Sequence, residues 1–119
     1  MPRETELRSC IDDCTRCHAV CTATIQYCLE KSGKHAEAHH IRLMEDCVEI
    51  CLTAADFMLR GSDFDPDICG VCAKVCGRCV LSCEQVGGKD DVAIEECAET
   101  CRRCEQSCRE MSKLGHKAA

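Results

Sequence analysis

The sequence predicts an all-α fold, an up-down-up-down antiparallel four-helix bundle with a cysteine-lined core. Two observations predict it. The pattern CxxxCxxCxxxC is written three times, as CIDDCTRCHAVC, CAKVCGRCVLSC and CAETCRRCEQSC. Its steps of 4, 3 and 4 return each cysteine to one face of an α-helix, because residues three and four apart are neighbours on that surface. The second observation is a set of breaks. Ser32-Gly33-Lys34, Gly61-Ser62-Asp63-Phe64-Asp65-Pro66 and Gly87-Gly88-Lys89 cut the 119 residues into four segments.

The first helix is expected over about residues 4–32, where Leu7, Cys10, Cys14, Cys17, Cys21 and, one heptad later, Cys28 share a stripe. The second, about 35–60, carries His40, Met44, Cys47, Cys51, Ala54 and Met58 at alternating steps of 4 and 3; here Ala54 and Met58 stand where the motif would place thiols. The third, about 66–86, opens with Asp65-Pro66, a carboxylate able to cap free N–H groups and a proline suited to the first helical position. It carries Cys69, Cys72, Cys76, Cys79 and Cys83. The fourth, about 90–114, can be capped by Asp90 or Asp91 and carries Ile94, Cys97, Cys101, Cys104, Cys108 and Met111. Gly33, Gly61, Gly87 and Gly115 fall where helix ends use a left-handed residue.

Steps alternating between three and four make the inner seam of helices packed nearly antiparallel. Short connections force sequence neighbours to run in opposite directions, and 119 residues suit one domain spanning 1–119. Counting from each loop sets the layers. Cys17 and Cys21 come level with Cys47, Cys14 with Cys51, Cys76 with Cys51 and Cys79 with Cys47. Across the last loop Cys79 meets Cys97, Cys76 meets Cys101 and Cys72 meets Cys104. Helix three also presents Gly70, Ala73 and Gly77 beside its thiol stripe, a face for close approach by another helix of this chain or of a second subunit.

Composition narrows the function. There are 16 cysteines but only three aromatic residues, Tyr27, Phe57 and Phe64, a balance typical of disulfide scaffolds and metal proteins. A formal net charge of −6 argues against nucleic acid as a partner. No apolar run approaches the ~20 residues that span a membrane. The opening MPRETELRSC lacks the basic start and apolar middle of a secretory signal. A cytoplasmic location is expected, where thiols stay reduced and dense cysteine reads as metal binding.

Soft thiolates and thioethers select Cu(I), zinc and iron–sulfur clusters. Structural zinc sites are closed tetrahedra whose ligands come mostly from turns, and a continuous ladder does not divide into four such cages. The ferredoxin spacing is missing, and no proline follows a cysteine. Cu(I) accepts low coordination and bridging thiolates, so it can use a ladder. Pairs such as Cys10–Cys14, Cys47–Cys51 and Cys104–Cys108 lie one turn apart, with Cβ atoms about 5–6 Å from each other. Sulfurs shared between ions would hold about as many Cu(I) ions as thiols. Met44, Met58 and Met111 extend the soft-donor stripe towards the bundle ends. Met58 and Met111 share one end with Cys69 and Cys108, where His116 could join them. His40 and Met44 sit near Cys28 at the other. His35 and His39, one turn apart, read as a solvated face, and His18 as a residue flanking the seam.

With these residues in place, the chain resembles the bacterial cytosolic copper-storage proteins, from about Leu7 to Met111. The resemblance implies storage of many Cu(I) ions in thiolate-bridged clusters, uptake at one end of the bundle, and assembly as a homotetramer. Exported relatives carry a twin-arginine leader that this sequence lacks. The cysteine-poor second helix departs from the pattern. A different class of function is a zinc-bound or disulfide-stapled structural module acting as an adaptor. Catalysis is not expected: His35 and His39 enclose a glutamate at the wrong offset for HExxH, and no βαβ pattern surrounds any CxxC pair.

Overall fold

The computed structural model of the protein describes residues 2–87 and 90–118, with side chains over 4–87 and 90–114. Four helices follow in order: α1 (Pro2–Lys31), α2 (Ala38–Leu59), α3 (Asp65–Gly87) and α4 (Val92–Ala118). The thirty residues of α1 should span about 45 Å at the α-helical rise, and the long axis of the molecule is 46 Å. The bundle is therefore one helix long. α1 packs against α2 and α4, and α3 against the same two, so α1 lies diagonal to α3 and α2 to α4.

The connections differ from the simple breaks read in the sequence. Helix two begins at Ala38 rather than near residue 35, because Gly33–Ala36 forms a separate 3-10 turn. Glu37 then follows in an extended conformation, its N–H bonded to the Lys34 carbonyl. At the end of α2, Gly61 takes φ +65. Its N–H donates to Met58 O and that of Ser62 to Phe57 O at 3.2 and 3.0 Å. This is a Schellman closure, which satisfies carbonyls that a helix terminus leaves free. Asp65 is the first residue of α3 and 2% exposed. Asp91 caps α4: its Oδ1 accepts the Ile94 N–H at 3.3 Å, and its carbonyl accepts the Glu95 N–H at 2.9 Å.

Two glycines act otherwise than expected. Gly115 does not end a helix, since α4 continues to Ala118. Gly87 is not left-handed; a Cβ there would stand 2.4 Å from Ile94 Cγ2, so α4 packs onto its bare backbone. The same holds along α3. A Cβ at Gly70 would meet Ser112 Oγ at 3.3 Å, and one at Gly77 would meet Glu105 Oε2 at 2.8 Å. The small-residue face of helix three is thus covered by α4 of the same chain.

The interior is a tube of small side chains closed by larger ones. All 16 cysteines are 0% exposed. The bulkiest buried residues, Met44, Ile94, Met58 and Met111, sit near the helix ends, Met44 and Ile94 at one end and Met58 and Met111 at the other. A buried Met or Ile side chain contributes roughly 1.5–3 kcal/mol, so the ends hold much of the hydrophobic stabilisation. Along the middle, thiols and alanines pack with little apolar area each. That leaves the centre polarizable and narrow.

Candidate metal centre

Each helix delivers its thiols inward because the 3/4 stepping keeps one stripe facing the axis. The resulting sulfurs touch. Cys10 and Cys108 are 3.6 Å apart, Cys14 and Cys108 3.5 Å, Cys21 and Cys101 3.6 Å, and Cys51 and Cys104 3.7 Å. All 16 cysteines are free, and these separations are contact distances, far from the roughly 2.0 Å of a disulfide. They match another geometry. With metal–thiolate bonds of about 2.3 Å, ligand sulfurs would sit about 3.8 Å apart around a tetrahedral ion and about 4.0 Å around a trigonal one. The tube is close to ligating geometry before any ion arrives.

Five groups of sulfurs lie within 4.8 Å of one another among the described residues. They form a series along the axis. Cys10, Cys69 and Cys108 share Cys108 with the next group, Cys14, Cys72, Cys104 and Cys108. That group shares Cys72 and Cys104 with the one containing Cys51 and Cys76. Cys51 and Cys76 are shared in turn with Cys17 and Cys47, and these two with Cys21 and Cys101. No four-sulfur cage owns its ligands alone. The expected layers hold for Cys17, Cys21 and Cys47 at 3.8 and 3.9 Å, and for Cys51 and Cys76 at 3.7 Å. One layer is shifted: Cys76 groups with Cys72 and Cys104 rather than with Cys101.

Cys28, Cys79, Cys83 and Cys97 complete the tube towards the end where α1 and α3 finish. There the donor set changes. His40, 2% exposed, places Nε2 3.5 Å from Cys28 Sγ and Nδ1 2.8 Å from Ser82 Oγ. A second partner of this kind fixes the orientation of an imidazole. Burial holds the His40 imidazole below the ordinary histidine range, which favours the neutral, ligand-competent form. Burial also pushes the Cys28 thiol up to about 11. Deeper in, protons are shared. Hydrogen bonds, that of Cys10 first, pull Cys14 down to about 7. Cys17 and Cys47 are lowered chiefly by Cys101, while Cys51 is raised chiefly by Cys104. A thiolate in this tube is stabilised by neighbouring S–H donors, so the ladder titrates as a unit.

Met44, Met58 and Met111 are fully buried on their expected stripes, and Ala54 is buried between Cys51 and Met58. Thr24 fills the seam slot between Cys21 and Cys28, its hydroxyl donating to Val20 O at 2.7 Å. Sequence spacing contained that slot, but a threonine carries no donor signal. The side chain of His116 lies outside the described residues. His18 flanks the seam as expected, its Nδ1 3.2 Å from Val48 O. His39 is exposed. His35 is not part of a solvated face: its Nε2 meets Asp91 Oδ2 at 2.7 Å, beside the Tyr27 hydroxyl that donates to Asp91 Oδ1 at 2.9 Å. Ser82 and Tyr27 gave no motif, and the capping signal at Asp91 did not reveal its bonds to Tyr27 and His35, because those partners come from elsewhere in the chain.

No helix among the described residues is long and apolar enough to cross a membrane. A family model described as copper storage protein matches residues 3–113. The Nmul_A1745 protein of Nitrosospira multiformis superposes with a TM-score of 0.87 at 48% identity, covering 93% of this chain and 98% of that one. Cu(I)-bound copper storage protein BsCsp3 of Bacillus subtilis gives 0.81 at 33% identity, with 90% and 98% covered. A cytosolic copper storage protein from Streptomyces lividans, solved with five coppers, gives 0.80 at 29% identity, with 93% and 95% covered. With a sulfur-lined four-helix tube and a family match over nearly its whole length, this chain belongs to the copper storage protein family.

Proposed function

We propose that this chain stores and buffers Cu(I) in the cytoplasm, as a non-catalytic protein whose cargo is many ions per chain. The sixteen ligands are Cys10, Cys14, Cys17, Cys21, Cys28, Cys47, Cys51, Cys69, Cys72, Cys76, Cys79, Cys83, Cys97, Cys101, Cys104 and Cys108. His40 and Met44 extend the donor set at one end and Met58 and Met111 at the other. The observation that carries this reading is the overlap of five thiol groups through shared sulfurs. Thiolates that bridge neighbouring ions let capacity approach one ion per thiol, whereas closed zinc cages need four private ligands each. Each coordinating thiol must lose its proton, so loading releases protons. The whole chain acts as one storage unit. Assembly as a homotetramer, which the resemblance implies, is part of the proposal and is tested by mass measurement in solution.

The deciding experiment is anaerobic titration of the reduced protein with Cu(I) against a competing chelator, followed by metal analysis. Saturation near one ion per cysteine, 16 in all, is expected. Saturation at about four ions or fewer, with zinc retained through purification, would replace storage with discrete structural sites.

A further inference from the structure

We infer that the segment Ser32–Glu37 is a latched strap over one end of the sulfur tube, and that its release sets the rate of copper exchange there. The inference rests on the storage reading for its cargo, but the strap itself stands on independent geometry. The 3-10 turn Gly33–Ala36 joins α1 to α2 and also touches α3. His35 projects from it to Asp91, the residue that caps α4, with Nε2 2.7 Å from Asp91 Oδ2. One short segment therefore touches three helices and reaches the cap of the fourth at this end of the bundle. At this end lie the last donors of the tube, Cys28 and His40, which are 0% and 2% exposed.

The latch is a small half-buried network. Asp91 receives the Tyr27 hydroxyl at 2.9 Å, faces His35 at 2.7 Å and accepts the Ile94 N–H at 3.3 Å. The Tyr27 and His35 rings meet edge to face with centroids 5.9 Å apart. Lys31 Nζ stands 5.8 Å from the Tyr27 ring centroid. The side chains of His35 and Asp91 are 12% and 9% exposed.

The hinge beside this latch is strained. Ser32 has φ 60 and ψ −166, a region that residues with a Cβ rarely occupy and that persists only when surrounding contacts impose it. Gly33, next to it, also has positive φ, at 62, where glycine bears no such penalty. The latch thus holds the strap closed against a backbone that favours leaving this conformation. At the opposite end, the α2–α3 turn places glycine at its left-handed position and carries no such load. Exchange by opening a strap is a local transition of the kind that low-stability segments provide.

The test compares three variants of the full chain, none of which alters a proposed ligand. Anaerobic stopped-flow measures Cu(I) transfer from a chelator complex, and endpoint metal analysis measures capacity. Tyr27→Phe and His35→Ala should each speed transfer by about fivefold, the loss of one half-buried hydrogen bond, with capacity unchanged. Ser32→Gly should relieve strain in the closed state and slow transfer by roughly five- to tenfold. Hydrogen exchange at the amides of residues 33–37 in the copper-free protein should rise in the first two variants and fall in the third. Equal transfer rates in all four proteins, or faster transfer in Ser32→Gly, would overturn the strap. If the parent protein takes up no copper, the storage reading fails instead, and amide exchange in the variants still decides whether the latch exists.

Discussion

The shared-sulfur ladder makes a quantitative claim that truncation of single cysteines can test. Cys51 lies 3.7 Å from Cys72, Cys76 and Cys104 and 4.0 Å from Cys47. It belongs to two four-sulfur groups, whereas Cys69 belongs to one group of three. Both thiols are 0% exposed. Cys51→Ala and Cys69→Ala therefore delete the same atom from equally buried sites, at about 1 kcal/mol each for lost transfer energy and cavity. In the copper-free protein each should lower the melting midpoint by about 4 °C. Their effects on capacity should differ. Removing Cys51 takes a ligand from two groups and should cost about two ions; removing Cys69 should cost about one. Because Cys51 and Cys76 serve the same two groups, the double variant Cys51→Ala/Cys76→Ala should lose little more than either single one. Anaerobic titration against a chelator, with copper and protein measured after desalting, reads all four numbers. Equal losses for Cys51→Ala and Cys69→Ala, with strictly additive loss in the double variant, would mean independent sites and refute the ladder.

Three further outcomes follow from the same structure. Gly87→Ala should destabilise by about 1–3 kcal/mol, since its Cβ would press into Ile94; Gly77→Ala, whose Cβ meets only the flexible end of Glu105, should be within about 0.5 kcal/mol of the parent in urea unfolding. Two groups at the tube's end should each add a pH limb to copper-free stability. Folding raises Cys28 from its ordinary 9.0 to about 11, so its contribution is intact below about 9 and lost as pH rises towards 11, while lowered His40 loses its contribution as pH falls below 6.5. Chemical unfolding across pH should show both limbs, and His40→Gln should flatten the acid one. Copper loading at a thousandfold excess over its dissociation constant should add about 4 kcal/mol per site by mass action, read as a rise in melting temperature that a strong Cu(I) chelator reverses; an unchanged melt would separate binding from folding.

Much of this architecture is written in local spacing. Helix membership, the antiparallel order and the burial of every cysteine follow from a 3/4 repeat interrupted at Gly33, Gly61 and Gly87. Even the cysteine-poor second helix keeps its register, with Met44, Ala54 and Met58 buried on the stripe. The small face of helix three was legible as a contact surface but not as one for α4, since a stripe of small residues does not name its neighbour. His35 read as a solvated residue because its spacing to His39 was visible and its partner, 56 residues away in Asp91, was not.

The sequence by itself determined a soft, inward-facing lining, because helical periodicity is a property of consecutive residues and sulfur brings its own chemistry. Only the tertiary structure decided which sulfurs share a group, that Cys76 sits with Cys104 rather than Cys101, and that Tyr27, His35 and Asp91 meet across one end. Those outcomes depend on the axial stagger between helices and on how a short turn crosses them. A stagger of a few ångströms changes a side chain's partners while leaving every spacing in the chain the same.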